Sequence, residues 1–125
     1  MKLLLFLLSS IFLISSFNAY AIENEAYYSQ QFCDELSGQT EYLLQDLSRV
    51  DCLTDSHAFE VDWADGSKVY EAIGQSLYYS SETGKLPGIL LLIRKENSEK
   101  YIRKVKRVVD YFELPIKLII LDIRS

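Results

Sequence analysis

Asp51, Glu60 and Asp62 are acids set where a β-strand would place apolar or neutral side chains. From Ala58 to Trp63 the residues alternate strictly, with Phe59, Val61 and Trp63 on one face and Ala58, Glu60 and Asp62 on the other. Two carboxylates side by side on one strand face repel each other and lose hydration, so they call for a cation or a basic partner. Asp51 stands between Val50 and Cys52 in the preceding apolar segment, and a hairpin would bring it alongside Glu60. That is the geometry of a divalent-metal site. A plainer alternative stays open. Glu60 and Asp62 would then be the solvated face of an edge hairpin, and Asp51 a strand-end acid paired with Arg49 or Lys68.

The elements that must hold these acids can be read along the chain. Residues 24–37 have helical character, with Phe32 and Leu36 one turn apart and Gly38 as the stop. Strands are expected at 40–44 and 49–53, separated by a polar turn, and after a second turn a third strand runs through Trp63. Asp65-Gly66-Ser67 is a break, and Ser67 is placed to cap a helix over 68–82, which Gly84 and Pro87 end. Residues 88–93, GILLLI, suit a central strand buried on both faces. A second amphipathic helix covers 97–113, with Ile102, Val105, Val109 and Phe112 towards the core and Lys100, Arg103, Lys104 and Arg107 opposite. Pro115 precedes a last strand over 116–123. The order αβββαβαβ predicts an α/β fold, a mixed sheet flanked by helices on both faces.

Residues 1–21 read as a secretory signal peptide: Lys2, an apolar and serine-containing stretch, then Ala19-Tyr20-Ala21 as the cleavage pattern. The apolar stretch is short for a membrane anchor, which needs about 20 residues, and no other stretch is long enough to span. Residues 22–125 then form one small domain, exported to the periplasm or secreted. Losing the signal removes one Lys and no acid, which leaves 12 Lys and Arg against 18 Asp and Glu, a net charge of −6. Seven of those 12 cations lie between Arg94 and Arg107, so an acidic chain carries a concentrated basic segment. That segment reads either as a solvated face or as a nucleic-acid contact. The adjacent tyrosines, Tyr27-Tyr28 and Tyr78-Tyr79, read as stacking platforms or as amphipathic rim. In an oxidising compartment Cys33 and Cys52 most simply form one disulfide, closing a loop of roughly 20 residues and stabilising by about 3 kcal/mol. Two thiols and one histidine lack the C-x-x-C spacing of zinc binders. That histidine, His57, falls in a predicted turn, where solvation is the ordinary state.

With Asp51 on the second strand, Glu60 on the third and a helix after them, the chain resembles the PD-(D/E)xK nuclease-like superfamily, with a restriction-endonuclease-like core. Gln75-Ser76-Leu77-Tyr78-Tyr79 is similar to the Q-x-x-x-Y element of its RecB-type members. The string RVDCLT-x-x-HA-x-E-x-D, followed by K-x-x-EAIGQ-x-L-x-Y, more closely resembles a group of small uncharacterised bacterial proteins. The resemblance implies Mg²⁺- or Mn²⁺-dependent hydrolysis of nucleic-acid phosphodiesters. Asp51 and Glu60 match the metal-binding acids, Glu41 is a further acid, and Gln75 and Tyr79 match the helical pair. Asp62 stands where the family's pattern has lysine. It is a candidate third metal ligand, and Lys68 at the helix start is the candidate replacement cation. Two other readings follow from that departure: an inactive descendant of the fold that binds an envelope or secreted partner, and a disulfide-stapled envelope protein whose acids are only surface.

Overall fold

The computed structural model describes residues 24–124. The signal-peptide expectation concerns 1–21 and lies outside the described residues. Helix α1, Glu25–Glu35, starts at Asn24, whose side-chain oxygen accepts the Tyr27 N–H at 3.0 Å and so satisfies a free helix-end donor. Strands β1 (Gln39–Leu43), β2 (Arg49–Leu53) and β3 (His57–Trp63) follow as a meander. Helix α2 (Lys68–Thr83) then leads to β4 (Leu86–Ile93), and α3 (Glu99–Tyr111), entered through a single 3₁₀ turn, leads to β5 (Lys117–Asp122). The five-stranded sheet runs β1-β2-β3-β4-β5; its first two pairings are antiparallel and its last two parallel. The expected α/β mixed sheet is therefore present. Each β-α-β step uses one helix as its crossover, as parallel pairing requires.

Alternation along β3 and β4 decides which helix covers which face. Ile89, Leu91 and Ile93 pack with Val69, Ala72 and Ile73 of α2 and Ile102 and Val105 of α3. Leu90 and Leu92 join Val61 and Trp63 on the other face, against Tyr28 and Phe32 of α1. From Pro87 to Ile93 the whole of β4 is buried, as a strand between two helical layers must be. Gly88 is fixed by this packing, because a Cβ there would lie 2.4 Å from the Phe59 ring.

The disulfide between Cys33 and Cys52 forms, tying the last turn of α1 to β2 with Cα atoms 5.5 Å apart. Gly38 allows it to fit: a Cβ at that position would sit 2.8 Å from both sulfur atoms. Two local expectations differ from the structure. Ser67 is already helical in backbone angle and makes no side-chain cap. Phe112, expected on the core face of α3, lies past the helix end and is 66% exposed beside Tyr111, which is 74% exposed. The helix stops one residue short of it, so the helical period no longer decides where its ring points.

Replacing both cysteines by serine should lower unfolding stability by about 3 kcal/mol, the loop-closure value for this separation. Urea titration of the variant against the oxidised protein would measure it. Gly38→Ala should also destabilise, with the loss reduced but not abolished in the cysteine-free background, because the Leu53 carbonyl oxygen would still lie 3.0 Å from the new Cβ.

Candidate functional site

A strand within a sheet exchanges backbone hydrogen bonds with each neighbour at every second residue. Between β2 and β3 that ladder stops early: only Cys52↔Phe59 and Leu53↔Ala58 are paired. Continuing the register would make Val50 the next partner of Val61. Instead the Val61 N–H donates to Oδ2 of Asp51 at 2.7 Å. The Asp51 carboxylate thus takes a backbone carbonyl's place, and beyond it β2 leaves β3. On its other side β3 stays paired with β4 through Trp63. The result is a notch along the free edge of β3, beginning where Asp51 and Glu60 stand opposite each other.

Glu60 and Asp62 project from β3 on the same side as Ala58, whose neighbours are Val50 and Tyr79. Both acids are buried, at 6% and 7% exposure. Oε2 of Glu60 is buried and meets no hydrogen-bonding partner. Asp62 accepts the Trp63 N–H at 2.8 Å and has Lys68 Nζ at 4.0 Å. Lys68 opens α2, so the start of that helix brings a cation to Asp62. Tyr79 lies on the buried face of the same helix. Burial raises its phenol pKa well above the usual range, and the nearby Glu60 and Asp51 charges raise it further. Gln75 is exposed, one turn on from Glu71, whose charge reaches Asp62.

Two residues behave otherwise than the sequence indicates. Glu41 faces Asp51 across the β1–β2 pair, between Thr40↔Cys52 and Tyr42↔Val50, but its side chain is exposed and bridges Arg49 at 3.7 Å. Its backbone has φ 51°, a left-handed conformation that costs a non-glycine residue on the order of 1 kcal/mol. Glu25, in the first turn of α1, is the member that the sequence does not announce. Its carboxyl shares a hydrogen bond with Asp62 and feels the Asp51 charge. Helix α1 covers the opposite sheet face, so Glu25 comes round the edge of β3 that β2 has vacated. No local pattern marks it beyond an acid in a helix first turn, which is ordinary.

Four carboxyls and one lysine therefore meet at the notch. Desolvation is the largest influence on every acid of the four. It pushes Glu60 up to about 10, helped by the Asp51 charge and a hydrogen bond between their carboxyls. Asp51 rises to about 6, restrained by the Val61 N–H. Glu25 rises to about 7 through burial and the Asp62 charge, and Asp62 rises through burial while its bond to Trp63 N–H and the Lys68 charge pull it down. Such a cluster either retains protons or attracts a cation. Among the described residues no group of three or more Asp, Glu, His and Cys side chains is arranged to enclose a metal ion. Mg²⁺ does not need one: it commonly keeps several waters and takes one or two carboxylates. His57 lies outside the notch. It begins β3, stacks on Phe59 and contacts Ser56 Oγ through Nδ1 at 2.7 Å.

Comparison of the chain with protein-family models, with curated proteins and with solved structures finds no match in any of the three.

A carboxyl whose folded pKa exceeds its unfolded value holds its proton more tightly in the folded state. Its stabilising effect is complete below the unfolded value and is lost as pH rises through the folded one. In EDTA the melting temperature should therefore fall between about pH 4 and pH 8, as Asp51 and then Glu25 ionise, and keep falling towards pH 10 as Glu60 does. Glu60→Gln should flatten the alkaline part of this slope and raise the melting temperature at pH 8 by roughly 5 °C, corresponding to about 1 kcal/mol. Scanning calorimetry across pH would record both effects.

Proposed function

We propose that the chain is an exported nuclease-like protein of the PD-(D/E)xK kind, hydrolysing nucleic-acid phosphodiesters with Mg²⁺ or Mn²⁺ held by Asp51 and Glu60. The observation that carries this reading is the buried Glu60 oxygen without a partner, opposite Asp51 at the point where β2 parts from β3. A buried carboxylate oxygen lacking a donor is costly, and a hard cation at the notch would relieve it. When bound, such an ion lowers the pKa of water and offsets charge gathering on the phosphate.

The chain's own residues have separate tasks in this reading. Asp51 and Glu60 fix the ion, and Asp62 is a further ligand or the acceptor that orients Lys68. Lys68 takes the place of the lysine absent from position 62 and faces the phosphate. Gln75, on the exposed side of α2, would position water, and Tyr79 packs beneath the acids. The disulfide agrees with an oxidising, extracytoplasmic location. Among the described residues no helix is long and apolar enough to cross a membrane.

A second reading is favoured by Asp62 itself. A carboxylate at the lysine position, already in contact with Lys68, leaves the notch with four acids and one cation. In an inactive descendant the same notch would bind a cation or a basic group of an envelope or secreted partner without turnover.

Labelled single- and double-stranded DNA and RNA, incubated with the oxidised protein and Mg²⁺, Mn²⁺ or EDTA, separate the two. Metal-dependent cutting that Glu60→Ala abolishes while the fold persists supports the enzyme, and Lys68→Ala should then slow it about a hundredfold. No cutting by folded wild-type protein rejects the enzyme in favour of the second reading. In either case Mg²⁺ should raise the melting temperature of the wild type but not of the Asp51→Asn, Glu60→Gln double variant. Equal shifts in both would mean that the notch holds no cation.

A further inference from the structure

The exposed side of α3 carries two features that the acid notch leaves unexplained. Among the described residues, Lys100, Arg103, Lys104, Lys106 and Arg107 take part in no ion pair, whereas Arg49, Lys68, Arg94, Lys95 and Arg124 each face a carboxylate. Beside these free cations stand exposed aromatic rings. Tyr111 and Phe112 meet edge to face at 4.9 Å, and Tyr70 of α2 is 48% exposed. Lys104, Arg107, Tyr111, Phe112 and Tyr70 line one groove of about 380 Å³. Exposed rings of this size are costly in water unless something covers them.

The groove continues towards the notch. Lys100 and Lys104 both lie over the Tyr101 ring, at 4.9 and 5.6 Å. Tyr101 also borders the adjoining depression, which Lys68, Arg94 and Lys95 line together with Asp65, the partner of the last two. Lys68 in turn reaches Asp62. A run of cations and rings thus leads from the acid cluster across the start of α2 and along α3.

We propose that this run is a binding track for single-stranded nucleic acid. The unpaired cations of α3 track a phosphate backbone, Lys68, Arg94 and Lys95 being already matched by Asp62 and Asp65, and exposed rings stack on bases that a duplex keeps covered. The choice of nucleic acid rests on the nuclease-like reading of the notch, to which the track leads. An anionic membrane surface would also attract the cations. It fits less well, since membrane-seeking helices present several aliphatic side chains beside their aromatic ones, and the only aliphatic residue lining this groove is the half-buried Val108.

Fluorescence anisotropy of a labelled oligothymidylate, titrated in EDTA at low salt with the disulfide-bonded protein recovered after export, tests the track without any cleavage. Wild type should bind the single strand more tightly than a duplex of equal length. Lys104→Glu with Arg107→Glu should weaken binding at least tenfold and lower the log–log salt slope by roughly 0.7 for each phosphate that is no longer neutralised. Tyr111→Ala with Phe112→Ala should weaken it roughly 5- to 100-fold with little change in that slope, and Tyr111→Phe should restore most of it. All these side chains are exposed, and circular dichroism would confirm that the variants fold. Binding equal in wild type and both double variants overturns the track. So does wild-type binding to phosphatidylglycerol vesicles with none to the oligonucleotide. Wild-type protein that binds the oligonucleotide in EDTA but does not cleave it once Mg²⁺ or Mn²⁺ is added would reject the nuclease reading and leave the track standing.

Discussion

An interior strand has backbone N–H and C=O groups along both edges, and each must find a partner once buried. On its β4 side β3 meets this demand through seven paired positions. On its β2 side the ladder lasts two positions, and the Asp51 carboxylate then accepts the Val61 N–H in place of a backbone carbonyl. That substitution lets two strands separate without leaving the donor at the fork unsatisfied. The fork in turn gives three other carboxyls, from β3 and α1, room to approach. Were the ladder to run to the end of β2, the edge of β3 that Glu25 reaches would be occupied by a strand.

Asp51 therefore has two duties that pull on its charge in the same direction. The Val61 N–H favours the ionised form, and so does any cation at the notch, while burial opposes both. Glu60 has no such donor, and its proton is retained far into the alkaline range. Burial raises both acids, but the Val61 N–H and the hydrogen bond between the two carboxyls hold Asp51 down, while the Asp51 charge and that same bond push Glu60 further up. Tyr79, packed beneath them, adds a hydroxyl that the same burial keeps protonated.

Most of the framework was legible in the sequence because period and punctuation agreed. Strict alternation placed Glu60 and Asp62 together on one side of β3, and the apolar run 88–93 could only be a strand covered twice. The cysteines identified their own link. What could not be read had non-local causes. Glu25 joins the cluster only because β2 departs from β3, and α1 carries no sign of that departure. Phe112 follows the helical period on paper, but the helix ends before reaching it. Ser67 has the right chemistry for a cap, yet its backbone is already helical, so its hydroxyl does not reach the free N–H groups. Glu41, placed among the candidate acids, is turned outward by a left-handed backbone that no residue-type preference predicts.

The disulfide has a bearing on the notch beyond its contribution to stability. Cys52 is the residue after Asp51, and Cys33 lies two turns of α1 beyond Glu25. The crosslink thus fastens the helix and the strand that bring two of the four acids to the fork. Before oxidation, in a reducing cell interior, nothing covalent holds these two arms in register, and only packing brings them together. The full complement of charges at the fork is secured when the thiols are oxidised. Assembly of the cluster is in this way coupled to redox state: with the thiols reduced, the acids are present in sequence but lack the covalent tie that fixes two of them in space.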